Sequence, residues 1–102
     1  MEEQINAAIQ VLPQSKDRHL YEIVDEAIDE IKNSGLRYQV CPFETVVEGE
    51  FVKVMTLIGS IKDRCFSAGA EDLLINIKIQ ARKTGEVTIE EKMHKYQKQN
   101  NK

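Results

Sequence analysis

The sequence predicts an α+β protein with the element order β-α-β-β-α-β, a ferredoxin-like sandwich in which two helices cover one face of a four-stranded antiparallel sheet. Three observations predict it. Two long segments carry apolar residues at helical spacing along one side only, shorter segments alternate apolar and polar residues, and the segments follow one another in that order. Helices and strands that are apolar on one side only can bury their apolar sides against each other when both helices lie on the same face of one sheet. Right-handed crossovers then give the ferredoxin-like topology.

The length and composition fit one soluble domain. The chain has 102 residues, of which 41% are hydrophobic and 30% charged, and its formal net charge is -3. We expect a single domain over residues 1–96 and a frayed tail over 97–102. No basic face stands out, which argues against nucleic acid as a partner. The chain offers no apolar run approaching the ~18 residues of a membrane span and no signal peptide, so we expect a cytoplasmic protein without membrane insertion.

The first strand is predicted over residues 4–12. Pro13 is expected to close this strand because proline has no N–H to donate to a sheet. The residues predicted to face the helices are Ile5, Ala7, Ile9 and Val11.

The first helix is predicted over residues 16–34, with the side chain of Ser15 or Asp17 as its N-terminal cap. Gly35 is expected to end it, since glycine adopts the left-handed conformation at low cost. The acidic residues off the apolar stripe are interpreted as a solvated face rather than a metal site.

The segment from Tyr38 to Gly49 predicts two short strands separated by a turn at Cys41-Pro42-Phe43. The second of these strands is expected to end at Glu48-Gly49, where the second helix begins. Because polar side chains flank the bend on both sides, this is the favoured place for a small ligand.

The second helix is predicted over residues 50–67 and the last strand over residues 72–82. Gly59 inside the helix indicates close packing of a neighbouring element. A short polar helix is then expected from Thr88, with Glu91 completing a capping box and Tyr96 in its apolar row. The apolar stripe predicted for the second helix consists of Phe51, Val54, Met55, Ile58, Ile61 and Cys65.

The sheet face away from the helices is expected to be partly apolar, which predicts a partner subunit over some of it. The residues assigned to this open face are Asn6, Ala8, Gln10, Leu74, Asn76, Lys78 and Gln80.

Signals for catalysis are weak, so we expect no enzyme. Cys41 and Cys65 lie in different elements without metal-ligand spacing and are interpreted as reduced packing residues. His19 and His94 are interpreted as surface residues. No phosphate-binding loop occurs. The four-residue spacing of Glu44 and Glu48 is interpreted as a solvent-facing pair of carboxylates.

Signals for ligand binding are stronger. Asn6 and Gln10 fall on one sheet face, and their amides offer a donor and an acceptor side by side, as the edge of an aminopyrimidine requires. Thr45 and Glu48 add a hydroxyl and a carboxylate, and the carboxylate can accept from an exocyclic amine or balance a ring cation.

Tyr38 and Phe43 can supply a stacking or cation-π surface next to these groups. An alternative stays open from spacing alone. In that alternative Asn6 and Gln10 line a subunit interface, Phe43 fills the core, and the chain is an oligomeric structural or regulatory interaction protein without a vitamin ligand.

Several motifs resemble one known family. They are Ala8-Ile9-Gln10-Val11-Leu12-Pro13, Ser34-Gly35-Leu36-Arg37-Tyr38, the run Pro42-Phe43-Glu44-Thr45-Val46-Val47-Glu48-Gly49, and Gly69-Ala70. With these motifs the chain, from about residue 5 to Tyr96, resembles the small prokaryotic thiamine-binding proteins. The most specific piece is Pro-x-x-Thr-x-x-Glu-Gly at Pro42 to Gly49.

The resemblance implies a ferredoxin-like subunit that assembles into homodimers or homotetramers. It also implies cytoplasmic binding of thiamine or of its hydroxymethylpyrimidine half, with no catalysis and no other cofactor. Thr45, Glu48 and Gly49 stand where the family's run has them. The end of the first strand departs from the family pattern, because this chain has Pro13-Gln14-Ser15 where Pro-Leu-Gly is common.

Overall fold

The computed structural model describes residues 4–90 and 92–93. Its elements are β1 (Gln4–Gln14), α1 (Leu20–Asn33), β2 (Arg37–Val40), β3 (Thr45–Glu50), α2 (Phe51–Ser67) and β4 (Asp72–Gln80). The four strands form one antiparallel sheet in the order β2-β3-β1-β4. The predicted ferredoxin-like fold is confirmed.

Strand register separates the two faces of the sheet. Ala7 pairs with Val47 and with Ile79, and directly opposed residues in antiparallel strands project to the same side. Ala7 and Val47 are fully buried in the core cluster beneath the helices. The alternate residues form the open face, where Asn6 pairs with Glu48 across β1 and β3. The predicted facing of β1 is therefore confirmed.

β1 is longer than predicted, because it continues through Pro13 to Gln14. β3 pairs with β1 only from Gln4 to Ile9, so the later residues of β1 pair with β4 alone. Pro13 is tolerated there because a strand with one free side need not use every N–H. This mismatch in strand length leaves a gap beside residues 10–14 of β1.

α1 begins four residues later than predicted and has a different cap. The Ser15 hydroxyl accepts from the backbone N–H groups of Asp17 and Arg18 (3.3 and 3.1 Å), which forms a turn before the helix. His19 is the N-cap, since its Nδ1 accepts from the N–H of Tyr21 at 3.2 Å. The predicted end is confirmed, because Gly35 follows the helix with a φ of 80°.

The apolar stripe predicted for α2 was partly wrong. Phe51 and Met55 are 45% and 43% exposed, whereas Leu57 is buried. The side chains that point to the sheet follow the spacing of Val54, Leu57, Ile61 and Cys65, so Phe51 and Met55 fall on the edge of the buried face. The close packing expected at Gly59 is also absent, since a Cβ there would meet no atom within 4 Å.

The two helices are joined by a charged cluster on their outer side. Arg64 of α2 donates to Glu26 (2.8 Å), Asp29 (2.6 Å) and Glu30 (3.0 Å) of α1. These carboxylates, led by Asp29, raise the pKa of Arg64. The solvated acidic face expected on α1 is thus in part an interhelical ion cluster.

The chain after β4 folds back over the open face. β4 ends at Gln80 rather than at residue 82, and Val87 and Ile89 are buried. Backbone is helical at 89–90 and 92–93, while Glu91 and Tyr96, on which the capping box and apolar row depended, lie outside the described residues. Part of the cover expected from a partner subunit is therefore supplied by the chain itself. Among the described residues no helix is long and apolar enough to cross a membrane.

Candidate ligand-binding site

A cavity occupies the gap beside β1 where β3 does not extend. The turn from Cys41 to Glu44 closes one side and is held by a hydrogen bond from the Cys41 N–H to the Glu44 carbonyl at 2.9 Å. The face of α1 closes the other side. The enclosed volume is about 260 Å³.

The cavity has an apolar wall and a polar end. Thr45 lies at the polar end and is 5% exposed, and Gln10, Cys41 and Glu44 also line it. The apolar wall consists of Ile9, Val11, Tyr21, Val24, Ala27, Ile28, Ile31 and Val40, with Pro42 and Phe43 at the turn. Pockets of this kind, apolar with a few fixed polar groups, are typical of small-molecule sites.

The structure brings together three of the six predicted site residues. Thr45, Gln10 and Phe43 all line the cavity, although Phe43 is 82% exposed. Tyr38 does not line it. Tyr38 pairs with Val47, so its side chain lies on the helix side of the edge strand β2.

Asn6 and Glu48 form a separate pair. Asn6 lies four residues before Gln10, which is roughly 13 Å along an extended strand. Its Nδ2 donates to the carbonyl of Val87 at 2.9 Å. Glu48 is only 8% exposed, so the solvent-facing pair of carboxylates predicted for Glu44 and Glu48 was wrong. Register explains this, since Glu48 lies opposite Asn6 beneath the returning segment.

Glu44 stands at the rim of the cavity. It forms an ion pair with Lys78 of β4 at 3.2 Å. A second depression of about 390 Å³ on the open face is lined by Gln10, Phe43 and Glu44 as well as by Asn76 and Lys78. Because the cavity and this depression share lining residues, they lie next to each other at the first residue of β3.

The contribution of α1 to this site was not predicted from the sequence. Tyr21 is 69% exposed at the cavity, and its ring contacts that of His19 at 5.2 Å between centroids. Val24 and Ile28 line the cavity and are only half-buried. Their spacing in the sequence indicates the apolar stripe of a helix. That part of this stripe faces a gap in the sheet follows only from the short length of β3.

The cysteines are free, as expected. Cys41 is half-buried at the cavity, while Cys65 is fully buried in the core, where burial raises the pKa of its thiol. Within the described part of the chain no three His, Cys, Asp or Glu side chains are placed to hold a metal ion. The chemistry available at the cavity is hydrogen bonding by an amide and a hydroxyl, with a carboxylate at the rim.

Comparison with known proteins places this arrangement in a family. A family model described as thiamine-binding protein matches residues 7–97. The chain belongs to the thiamine-binding protein family.

Relatives and solved structures match nearly the whole chain. A UPF0045 protein of Clostridium perfringens is 35% identical over 91 residues, which are 89% of this chain and 95% of the relative. A Bacillus cereus structure, a domain of unknown function DUF77, is 38% identical with a TM-score of 0.90, and the match covers 94% of this chain and 92% of that one. A Thermotoga maritima structure, proposed there to be a thiamine biosynthesis or salvage protein, is 33% identical with a TM-score of 0.83. That match covers 91% of this chain and 98% of the Thermotoga maritima chain.

Proposed function

We propose that the chain is a non-catalytic cytoplasmic protein that binds thiamine or a related hydroxymethylpyrimidine compound. The observation that carries the proposal is the cavity between α1 and the turn from Cys41 to Glu44, which Thr45 and Gln10 both line. Membership of the thiamine-binding family and the likeness to the Thermotoga maritima protein support the choice of ligand.

The size of the cavity favours one ring of the ligand. Its volume of about 260 Å³ is just under the roughly 300–1,000 Å³ usual for sites of drug-sized ligands. A substituted pyrimidine suits such a space better than a two-ring molecule does. The hydroxyl of Thr45 and the amide of Gln10, whose Oε1 already accepts from Asn76 Nδ2 at 3.1 Å, supply donors and acceptors for its amino and ring nitrogen edge.

The second ring of thiamine is a cation, and the rim of the cavity offers groups that suit one. Phe43 presents an exposed ring, and Glu44 is a carboxylate now paired with Lys78. An aromatic face and a carboxylate both attract a cationic ring. We place the thiazolium of thiamine at this rim, where it replaces the Lys78 ammonium as the partner of Glu44.

A thermal-shift series with thiamine and its two halves tests the proposal. A ligand that binds only the folded state raises the melting temperature by mass action. We expect thiamine and the hydroxymethylpyrimidine to raise it, and the free thiazole alcohol to leave it unchanged. Absence of a shift with both pyrimidine-containing compounds would contradict the proposal.

A second candidate function is an oligomeric structural or regulatory protein without a vitamin ligand. Leu12 and Leu74 favour it, because they are paired across β1 and β4 on the open face and are 41% and 57% exposed. An exposed apolar pair next to a sheet edge suits a subunit contact. Light scattering after size exclusion separates the two candidates when it is combined with the ligand series. Assembly as a homodimer or homotetramer is compatible with both, whereas ligand binding is expected only of the first.

A further inference from the structure

The pair formed by Asn6 and Glu48 has hydrogen-bonding capacity that the protein does not use. Asn6 is 2% exposed and Glu48 is 8% exposed, and among the described residues Asn6 Oδ1 and Glu48 Oε1 have no hydrogen-bond partner. The two residues are directly opposed in β1 and β3, so their side chains start about 4.5–5.5 Å apart on the same face. Two acceptors thus lie side by side in a buried place, which costs free energy unless a donor joins them.

The charge at this place is only weakly balanced. The nearest cation is Arg37, whose Nε lies 3.8 Å from Glu48 Oε2, and its side chain is 55% exposed. The same guanidinium also reaches Glu90 at 3.7 Å. One arginine therefore serves two carboxylates at long distance, and among the described residues Glu48 Oε1 has no hydrogen-bond partner.

The segment that covers the pair is attached through the pair itself. Val87 is fully buried, its carbonyl accepts from Asn6 Nδ2 at 2.9 Å, and its N–H donates to the Gln4 carbonyl at 3.2 Å. Val87 therefore covers Asn6 on the open face of the sheet.

An approach to the pair exists on the open face. A depression of about 340 Å³ reaches Asn6 across a floor that includes Ala8 and Val46, with Ile79 at its side. Its polar lining is Glu44, Lys78, Gln80 and Lys92. An apolar floor that leads to Asn6, whose neighbour across the strands is Glu48, fits a slender apolar molecule with a donor group at one end.

We propose that Asn6 and Glu48 form a second binding site, for the protonated amino group of a small amine. An ammonium group carries the positive charge that Glu48 lacks and the several N–H donors that the two oxygens require. Its source is either the free ammonium ion or a primary alkylamine lying in the depression. Neither Asn6 nor Glu48 lines the cavity at Thr45, so the site does not depend on the proposed function, although Glu44 lines both the cavity and the depression.

An NMR titration of the wild-type chain tests the site directly, with the side-chain Nδ2–H₂ resonances of Asn6 as the readout. The probes are ammonium chloride, butylammonium chloride and tetramethylammonium chloride, each exchanged for sodium chloride at constant ionic strength. Ammonium should cause a saturable shift, and tetramethylammonium, which has charge but no N–H, should not. Butylammonium acts like ammonium if the depression also admits the alkyl chain, and fails to act if the site takes the free ion alone.

Two matched variants complete the test. Glu48→Gln keeps the shape and supplies an amide donor to Asn6 Oδ1, so it should fold and should weaken the ammonium response about tenfold or more, as expected for loss of a charged hydrogen bond. Glu90→Gln makes the same change at the exposed partner of Arg37 and should keep the response. The proposal is overturned if ammonium gives no saturable shift in the wild type. It is equally overturned if tetramethylammonium gives the same shift as ammonium, or if Glu48→Gln responds to ammonium as the wild type does, because neither N–H donors nor the carboxylate would then be needed.

Discussion

Gln10 and Thr45 project to opposite faces of one sheet, yet both line the same cavity. Thr45 is the first residue of β3 and pairs with Ile9, so Gln10 is the first residue of β1 without a neighbour on that side. Because β3 ends there, the cavity on the helix side of the sheet lies next to the depression on the open face. A site formed at the end of a strand can therefore use side chains from both faces.

Thr45→Val should weaken thiamine binding without unfolding the protein. Valine keeps the branched shape of this buried side chain and removes the hydroxyl, and one lost hydrogen bond corresponds to an affinity about two- to tenfold weaker. Isothermal titration calorimetry measures the change. Thr56→Val is the matched control. Thr56 is an exposed residue of α2, so this variant should keep wild-type affinity. Equal affinities in all three proteins would remove Thr45 from the site.

Cys41 should react with iodoacetamide in the folded protein, and Cys65 should react only after unfolding. Cys65 is fully buried and desolvation raises its pKa, so at neutral pH little reactive thiolate is present. Cys41 lines the cavity. Saturating thiamine or hydroxymethylpyrimidine should slow the alkylation of Cys41, as followed by mass spectrometry. An alkylation rate unaffected by bound ligand would place that ligand elsewhere.

Gly49→Ala should destabilise the fold through contact with Leu36. A Cβ at Gly49 would lie 2.9 Å from Leu36 Cδ2, so the leucine side chain must move. Overpacking of this kind costs about 1–3 kcal/mol, and the flexible end of a leucine suggests the lower part of that range. Urea denaturation measures the cost.

The double variant Gly49→Ala with Leu36→Ala tests the cause of that cost. If the clash is responsible, adding Gly49→Ala to Leu36→Ala should cost much less than adding it to the wild type. Gly59→Ala provides the opposite control, because this helical glycine has open space around it and alanine should stabilise by up to about 1 kcal/mol. Additive effects at positions 36 and 49 would rule out the clash.

Arg64→Gln should destabilise the pairing of α1 and α2 more than loss of an ordinary surface ion pair does, because one cation serves three carboxylates. It removes the cation shared by Glu26, Asp29 and Glu30 and leaves three carboxylates close together. The three carboxylates hold the pKa of Arg64 above its ordinary value, so the arginine contributes its stabilisation at every pH below that ordinary value, and so throughout the neutral range.

Salt distinguishes this mechanism from simple loss of packing. Added sodium chloride screens the repulsion among the three carboxylates, so the stability difference between Arg64→Gln and wild type should shrink as salt rises. Arg18→Gln, which breaks only an exposed pair with Glu22, should cost less than about 0.5 kcal/mol. A difference that does not change with salt would show that Arg64 acts through its packed side chain.

The fold could be predicted from the sequence because its main signals are periodic and strong. Alternation in β1, the stripe of α1 and the glycine at residue 35 each determine an element without knowledge of the rest. The predictions were wrong where the burial of a residue depends on how its element packs against the rest of the fold. Whether Met55 or Leu57 is buried depends on how α2 rotates against the sheet, and both fit a helical stripe.

The candidate site could be predicted only in part. The polar run around Thr45 indicated the correct end of the sheet, and Gln10 followed from the alternation of β1. The apolar wall could not be predicted, because Val24 and Ile28 look like ordinary core residues until the length of β3 is known. The burial of Glu48 depends on the segment around Val87, more than eighty residues from Asn6 in the chain, and no local pattern reveals that contact.

The most direct measurement of the central claim is a crystal structure of the chain with the hydroxymethylpyrimidine compound bound. We predict the ring in the cavity between α1 and the turn from Cys41 to Glu44, with Thr45 Oγ1 and the Gln10 amide within about 3 Å of its nitrogen atoms. A structure with the compound bound elsewhere, while Thr45 and Gln10 contact only protein or solvent, would contradict the claim.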